Sequence, residues 1–126
     1  MVDMTLDEIV EYAAKERWAI RIQVPVASGA KTKIIELLKQ KKIPVFEVDQ
    51  NIVYSMAADA IASLPEDQRT VFVIGNLEDA RSGSQRVALD ILTHQRPIIA
   101  VDHPKEKNTE LSISIRTRFV HVAVDA

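Results

Sequence analysis

The runs TVFVI at residues 70–74 and PIIAV at residues 97–101 decide the fold class of this chain. Neither run alternates with polar residues, and a strand that is apolar on both sides is covered on both faces of its sheet. Between them, SGSQ at residues 82–85 has the form of a capping box and opens a predicted helix that extends to about His94. Buried strands joined by a helix pair in parallel through a right-handed crossover. We therefore expect a parallel sheet with helices on both faces.

The same alternation of helix and strand extends toward both ends of the chain. Thr5 and Glu8 form a second capping box at the start of the first predicted helix. Further helices are predicted at residues 5–17, 31–42 and 53–64, and further strands at residues 20–26, 43–48 and 119–124. The order, with one short helical turn before the last strand, predicts an α/β/α sandwich of three layers with a five-stranded parallel sheet. Residues 1–126 are expected to form a single α/β domain.

Composition excludes several classes of protein. Sixteen Lys and Arg residues against 18 Asp and Glu residues give a net charge of −2, which excludes a histone-like electrostatic binder but leaves room for a local basic patch. The absence of cysteine excludes disulfides, thiolate nucleophiles and cysteine-ligated metals. No uncharged apolar stretch approaches the roughly 20 residues that span a bilayer, and the acidic start lacks the order of a signal peptide. We expect a cytoplasmic protein with no membrane partner.

The segment after the first predicted strand, PVASGAKT at residues 25–32, ends in the pair Lys31 and Thr32. Ligands of open parallel sheets bind beyond the carboxyl ends of the strands. A phosphate-binding loop places a lysine and a hydroxyl at these two positions and uses glycines to wrap backbone N–H groups around the phosphates. Here Ala30 replaces the glycine before the lysine. The vestigial nucleotide-binding set is Ser28, Gly29, Lys31 and Thr32. The alternative is that Lys31 and Thr32 simply start an exposed amphipathic helix.

Three later segments also bear polar residues near the ends of predicted strands. The run VFVIGNLE at residues 71–78 ends in Gly75 and Asn76, and Glu78 and Asp79 follow one turn further on. The run IIAVDHP at residues 98–104 contains Asp102 and His103, and the run RTRFVHV at residues 116–122 contains Arg116 and Arg118.

In their order and spacing these segments resemble the core of AAA+ ATPases, over about 105 residues from Ile20 to Val124. The resemblance implies that residues 71–78 are a Walker B strand, that Asp102 or His103 occupies the sensor position, and that Arg116 or Arg118 is a finger-like arginine. It implies a P-loop NTPase-like fold with the first predicted strand central, between the fourth and the last, and with the second at an edge. Pro44 suits an edge strand.

The same resemblance implies that catalysis is lost. Magnesium-dependent phosphoryl transfer needs carboxylates to hold the metal and to orient water, and Gly75 and Asn76 stand at those positions. The small helical lid of the family is also expected to be missing. The implied protein has no cofactor and no bound metal, and is not an enzyme. His94, His103 and His121 lie too far apart in sequence to suggest a metal motif.

The resemblance therefore implies a protein-interaction module that associates with itself or docks on an active AAA+ ATPase. Two alternatives are a nucleotide-binding protein that retains the phosphate contacts of Lys31 and Thr32, and an accessory factor that binds nucleic acid. The second alternative depends on a basic patch, which consists of Lys31, Lys33, Lys39, Lys41 and Lys42. An unrecognised enzyme, and convergence on an ordinary α/β sheet, also remain open.

Overall fold

The structure is a computed structural model that describes residues 2–49, 52–75, 77, 83–103 and 113–124. These ranges contain one parallel sheet of six strands in the order β1-β6-β2-β5-β4-β3. The strands are β1 Val2–Met4, β2 Ala19–Gln23, β3 Val45–Glu47, β4 Val71–Gly75, β5 Ile98–Asp102 and β6 Val120–Val124. The helices are α1 Leu6–Lys15, α2 Ala30–Gln40, α3 Ala57–Ala62, α4 Ser84–Thr93 and α5 Ile113–Arg116.

The parallel α/β class and the arrangement of the central strands are confirmed. β2 lies between β5 and β6, and β3 lies at an edge beside β4. The expected number of five strands is wrong, because β1 adds a sixth strand at the other edge, where Val2 pairs with Val122 and Met4 with Val124. A three-residue edge strand has too few positions to show a period of two, and its partner lies at the far end of the chain.

Two capping boxes were predicted from the sequence, at the starts of α1 and α4. At the start of α1, the Thr5 hydroxyl accepts a hydrogen bond from the Glu8 N–H at 3.1 Å, and the Glu8 carboxylate accepts one from the Thr5 N–H at 3.1 Å, as predicted. The box expected at residues 82–85 includes Ser82, which lies outside the described residues; within them, Gly83 is the N-cap of α4 and makes no side-chain cap bond. The Gln85 amide donates to the Leu77 carbonyl oxygen at 2.7 Å.

The two apolar runs of the sequence supply side chains to both faces of the sheet. Val71 and Val73 point into a core with α1 and α2, whereas Phe72 and Ile74 point into a core with α3 and α4. β5 divides its side chains in the same way. Each fully buried aliphatic or aromatic side chain contributes about 1.5–3 kcal/mol relative to leaving it exposed. Coverage on both faces is thus the reason that β4 and β5 carry no polar alternation.

Three helices are followed by a residue with a left-handed backbone that is not glycine. Arg17, Lys42 and Gln95 have φ values of 56°, 59° and 54°. After α2, the Ile43 N–H donates to the Leu38 carbonyl at 2.9 Å, and after α4 the Arg96 N–H donates to the Ile91 carbonyl at 3.2 Å. Both bonds belong to the Schellman type of helix end. The chain has only three glycines, so bulkier residues occupy positions that favour glycine.

Candidate functional site

A buried ion pair lies at the carboxyl edge of the sheet, where β2 and β5 end. Arg21 on β2 is 8% exposed and Asp102, the last residue of β5, is fully buried. The Arg21 Nε donates to Asp102 Oδ2 at 2.6 Å, and the Leu77 N–H donates to Asp102 Oδ1 at 3.1 Å. Asp102 therefore links β5, on which it lies, to β2 and to Leu77, two residues after β4, through its two carboxylate oxygens.

The sheet register explains why these two side chains meet. Arg21 pairs directly with Ala100 of β5, which belongs to the core beneath α4. Paired residues of neighbouring strands point to the same face, and so does Asp102, two residues further along β5. The guanidinium therefore leans along the sheet toward the carboxylate on the face that α3 and α4 cover.

His103, the second sensor-like residue, extends the connection between β5 and β2. Its Nδ1 lies 2.9 Å from the Val24 carbonyl oxygen, and the Val24 N–H donates to the Asp102 carbonyl oxygen at 2.9 Å. Because a carbonyl oxygen only accepts hydrogen bonds, Nδ1 carries the proton in this contact. His103 is half-buried, and Nε2 is its remaining ring nitrogen.

The phosphate-loop-like segment is folded back on itself. Residues Val26–Ser28 form a 3-10 turn in which the Ser28 N–H donates to the Pro25 carbonyl at 3.0 Å. The Ser28 hydroxyl accepts from the Ala30 N–H at 3.2 Å. Gly29 has φ +65°, and a Cβ built on it would meet no atom within 4 Å, so the loop needs glycine here for backbone conformation and not for close approach. Two N–H groups of the loop therefore donate inside the loop.

Lys31 and Thr32 lie at the start of α2, as predicted. The Lys31 Nζ is 3.1 Å from Glu47 Oε1, at the end of β3. Thr32 is exposed. The positive charge that a phosphate loop would offer to a nucleotide is thus matched here by a carboxylate from the edge strand. Of the Walker B-like residues, Gly75 ends β4, is buried and pairs with Val101, whereas Asn76 and Glu78 lie outside the described residues, as does Asp79.

The two finger-like arginines, Arg116 and Arg118, lie at the end of α5 and just after it, where buried apolar side chains hold the chain on the core. Ile115 of α5 and Phe119 just after it are buried in the core beneath α4. The His121 Nε2 lies 2.9 Å from the Arg116 carbonyl oxygen, so this nitrogen donates and ties the end of α5 to β6. Arg116 and Arg118 are both exposed. α5 also presents Ile113, which is 68% exposed.

The lysine patch is more strongly neutralised than its sequence indicates. Lys41 binds Asp7 at 3.1 Å and Glu11 at 2.8 Å, which ties α2 to α1. Hydrogen bonds from Lys15 and then Lys41 lower the pKa of Glu11 to about 2, and the bonds from Glu11 and Asp7 raise the pKa of Lys41. With Lys31 bound to Glu47 as well, two of the five lysines have carboxylate partners.

The three remaining lysines of the patch are exposed and make no ion pair within the described ranges. They are Lys33, Lys39 and Lys42.

The important residue that sequence reasoning missed is Arg21. In the run IRIQV, at residues 20–24, it reads as the polar side of an alternating strand. It could have been identified because it is a charged residue on a strand that is predicted to be central in a sheet covered on both faces. A charge at such a position is expected to have a buried partner.

Two general features of the described residues bear on function. No three or more His, Asp or Glu side chains among them are grouped so as to hold a metal ion, and no helix in those ranges is long and apolar enough to cross a bilayer. A comparison with protein-family models and with curated proteins finds no match for this chain.

Proposed function

We propose that this chain is a non-catalytic interaction module with an AAA+-like core, which associates with itself or docks on an active ATPase through the α5 turn. The observation that carries the proposal is a contrast between two groups of charges. Lys31 and Asp102, at the positions that would act on a nucleotide, already have the internal partners Glu47 and Arg21. Arg116 and Arg118 are exposed.

The strand order supports the comparison with AAA+ cores. The order β6-β2-β5-β4-β3 is the one that the resemblance implied, with β1 added beside β6. In that arrangement the turn that leads into the last strand is the element that carries a finger-like arginine toward a neighbouring subunit. α5 leads into β6 in the same way.

The form of α5 suits a contact with an acidic partner surface. Ile115 and Phe119 hold the turn on the core, so the two guanidiniums project from a fixed base. Arg side chains pair with carboxylates through two parallel hydrogen bonds and are favoured at protein interfaces. Ile113 adds an exposed apolar side chain to the same turn. A specific contact needs about 1,000 Å² of buried surface, so the interface must extend beyond α5.

Sedimentation equilibrium tests this proposal, with the protein alone and mixed with a candidate AAA+ ATPase. Charge reversal in the double variant Arg116→Glu/Arg118→Glu is expected to weaken association by about tenfold or more, or about 1.4 kcal/mol. The matched control is Lys33→Glu/Lys39→Glu, which reverses two exposed charges on α2 and is expected to leave association unchanged. A wild-type protein that stays monomeric at high concentration, alone and in every mixture, overturns the proposal.

A further inference from the structure

A cavity of about 640 Å³ lies between the ends of α3 and α4. Both helices lead into the starts of strands, so the cavity is at the amino edge of the sheet, away from the phosphate-loop-like segment. Ile61, Leu64 and Ile91 give it apolar walls, and Arg96 lines it together with the carboxylates of Glu66 and Asp90. Its volume lies in the range of small-molecule sites, which combine apolar walls with a few polar groups.

Arg96 is held at this cavity by its backbone and by an aromatic ring. Its N–H closes the end of α4 on the Ile91 carbonyl at 3.2 Å. Its guanidinium carbon lies 4.5 Å from the centre of the Phe72 ring, and Nη2 donates to the Asp67 carbonyl oxygen at 2.8 Å. The side chain is thus fixed by a cation–π contact and one hydrogen bond.

One N–H of the Arg96 guanidinium, on Nε, is left without an acceptor by these contacts. Its Nε–H is buried and has no hydrogen-bond acceptor in the described part of the chain. The nearby Asp67 carboxylate is taken by Arg69, whose Nη2 lies 2.9 Å from Asp67 Oδ2. Buried donors without an acceptor are rare in native proteins and call for an explanation such as a missing water or ligand. A bound oxyanion supplies a charge-assisted acceptor for this donor.

We propose that this cavity binds a small organic anion with a single carboxylate, which pairs with Arg96 while its apolar part packs against Ile61, Leu64 and Ile91. The carboxylates of Glu66 and Asp90 line the same cavity and repel a ligand that carries several negative charges, so phosphate esters are disfavoured. Because Nε is enclosed in the structure, the carboxylate reaches it only when the Arg96 side chain turns toward the cavity and loosens its contacts with Phe72 and the Asp67 carbonyl. Charge-assisted bonds to the ligand replace those contacts.

The Arg96 Nε–H resonance in nitrogen-15 NMR spectra gives a direct test, with benzoate as the probe. Benzoate is expected to shift this resonance in a saturable manner. Neutral benzamide and inorganic phosphate are each expected to bind at least about tenfold more weakly than benzoate. Arg96→Gln, which removes the charge and the Nε–H, is expected to weaken benzoate binding about tenfold or more, as followed by the backbone amides of Leu64 and Ile91. Arg17→Gln, a matched change at an exposed arginine that does not line the cavity, is expected to leave it within about twofold.

Three results overturn the proposal. The first is a benzoate titration of the wild-type protein that gives no saturable shift of the Arg96 resonance, which is a test that needs no variant. The second is equal weakening by Arg17→Gln, which assigns binding to general surface charge. The third is tighter binding of phosphate than of benzoate. Thermal unfolding of each variant shows whether a loss of binding reflects a loss of the fold.

Discussion

Arg21 and Asp102 form a buried pair whose members depend on each other. Asp102→Ala leaves a guanidinium that is 8% exposed without its carboxylate, and we expect the free energy of unfolding to fall by about 3–5 kcal/mol. The double variant Arg21→Met/Asp102→Leu replaces both charges with apolar groups and is expected to recover part of that loss, because the Leu77 N–H still loses its acceptor. Urea unfolding of the single and double variants measures both effects.

The exposed pair of Asp67 and Arg69 is the control for this experiment. Their closest atoms are 2.9 Å apart, but the Arg69 side chain is 79% exposed, and exposed pairs contribute about 0–1 kcal/mol. Asp67→Ala is therefore expected to cost much less than Asp102→Ala. If the losses of unfolding free energy in the two single variants at Arg21 and Asp102 add up to the loss in the double variant, the two residues are not coupled.

Lys42 offers a stabilising substitution. With φ 59°, it occupies a left-handed position that costs a non-glycine residue roughly 1–2 kcal/mol, while glycine loses about 0.5–1 kcal/mol more backbone entropy on folding. Lys42→Gly is expected to raise the free energy of unfolding by up to about 1.5 kcal/mol, the difference of these two effects. Lys42→Ala keeps a Cβ and is the control. Thermal melting that shows no gain for glycine over alanine would refute the prediction.

At the scale of elements, the contact between α1 and α2 is sensitive to acid. Folding lowers the pKa of Glu11 from 4.5 to about 2, first through Lys15 and then through Lys41. A carboxyl group with a lowered pKa stabilises the fold fully above its unfolded pKa, and that contribution is lost as pH falls through the folded value. The difference in unfolding free energy between wild type and Glu11→Gln is therefore expected to shrink between about pH 4.5 and pH 2.

Urea unfolding at a series of pH values measures this difference. Glu36→Gln, a charge removal on the exposed side of α2, is the control variant because Glu36 lies outside the ion-pair cluster. Since exposed charges are screened at a Debye length of about 3 Å in 1 M salt, high salt is expected to reduce the difference at neutral pH. A difference that is constant with pH would contradict the assignment.

The elements predicted from sequence differ in how well they could be recognised. The box of Thr5 and Glu8 was confirmed because both partners lie within one helical turn. The predicted helix at residues 53–64 is a 3-10 turn, Tyr54–Met56, followed by α3 over Ala57–Ala62, since apolar periodicity does not distinguish the two kinds of turn. β1 was missed because its existence depends on pairing with β6 and not on its own three residues.

For the whole molecule, we expect no hydrolysis of ATP or GTP above background. Catalysis of phosphoryl transfer depends on positioning and charge stabilisation, and Lys31 is already paired with Glu47. Wild type, Lys31→Ala and Glu47→Gln are all expected to release phosphate at the rate of a buffer control. Glu47→Gln frees Lys31, so stronger nucleotide binding by this variant would favour the nucleotide-binding alternative. Turnover that disappears in Lys31→Ala would contradict a non-catalytic protein.

The sequence predicted where the candidate site lies but not which partner each of its side chains binds. The rule that ligands bind beyond the carboxyl ends of parallel strands identified the segments that contain Lys31, Asp102 and His103. The partners of these residues, Glu47, Arg21 and the Val24 carbonyl, come from neighbouring strands. Which strands are neighbours is a property of the tertiary fold, and side-chain direction depends further on the register. Local sequence patterns carry neither kind of information.

The position of β2 between β5 and β6 has a consequence for how the protein is made. β2 leaves the ribosome before both of its neighbours in the sheet, and Arg21 is 81 residues ahead of Asp102. α1 and α2 can form and meet before then, because they are close in sequence. The strand at the centre of the sheet, and the charge on it, remain unpaired until Ile98–Asp102 has emerged. Distant pairings of this kind slow folding and prolong the exposure of apolar strands, so β2 cannot complete its pairing before β5 and β6 have emerged.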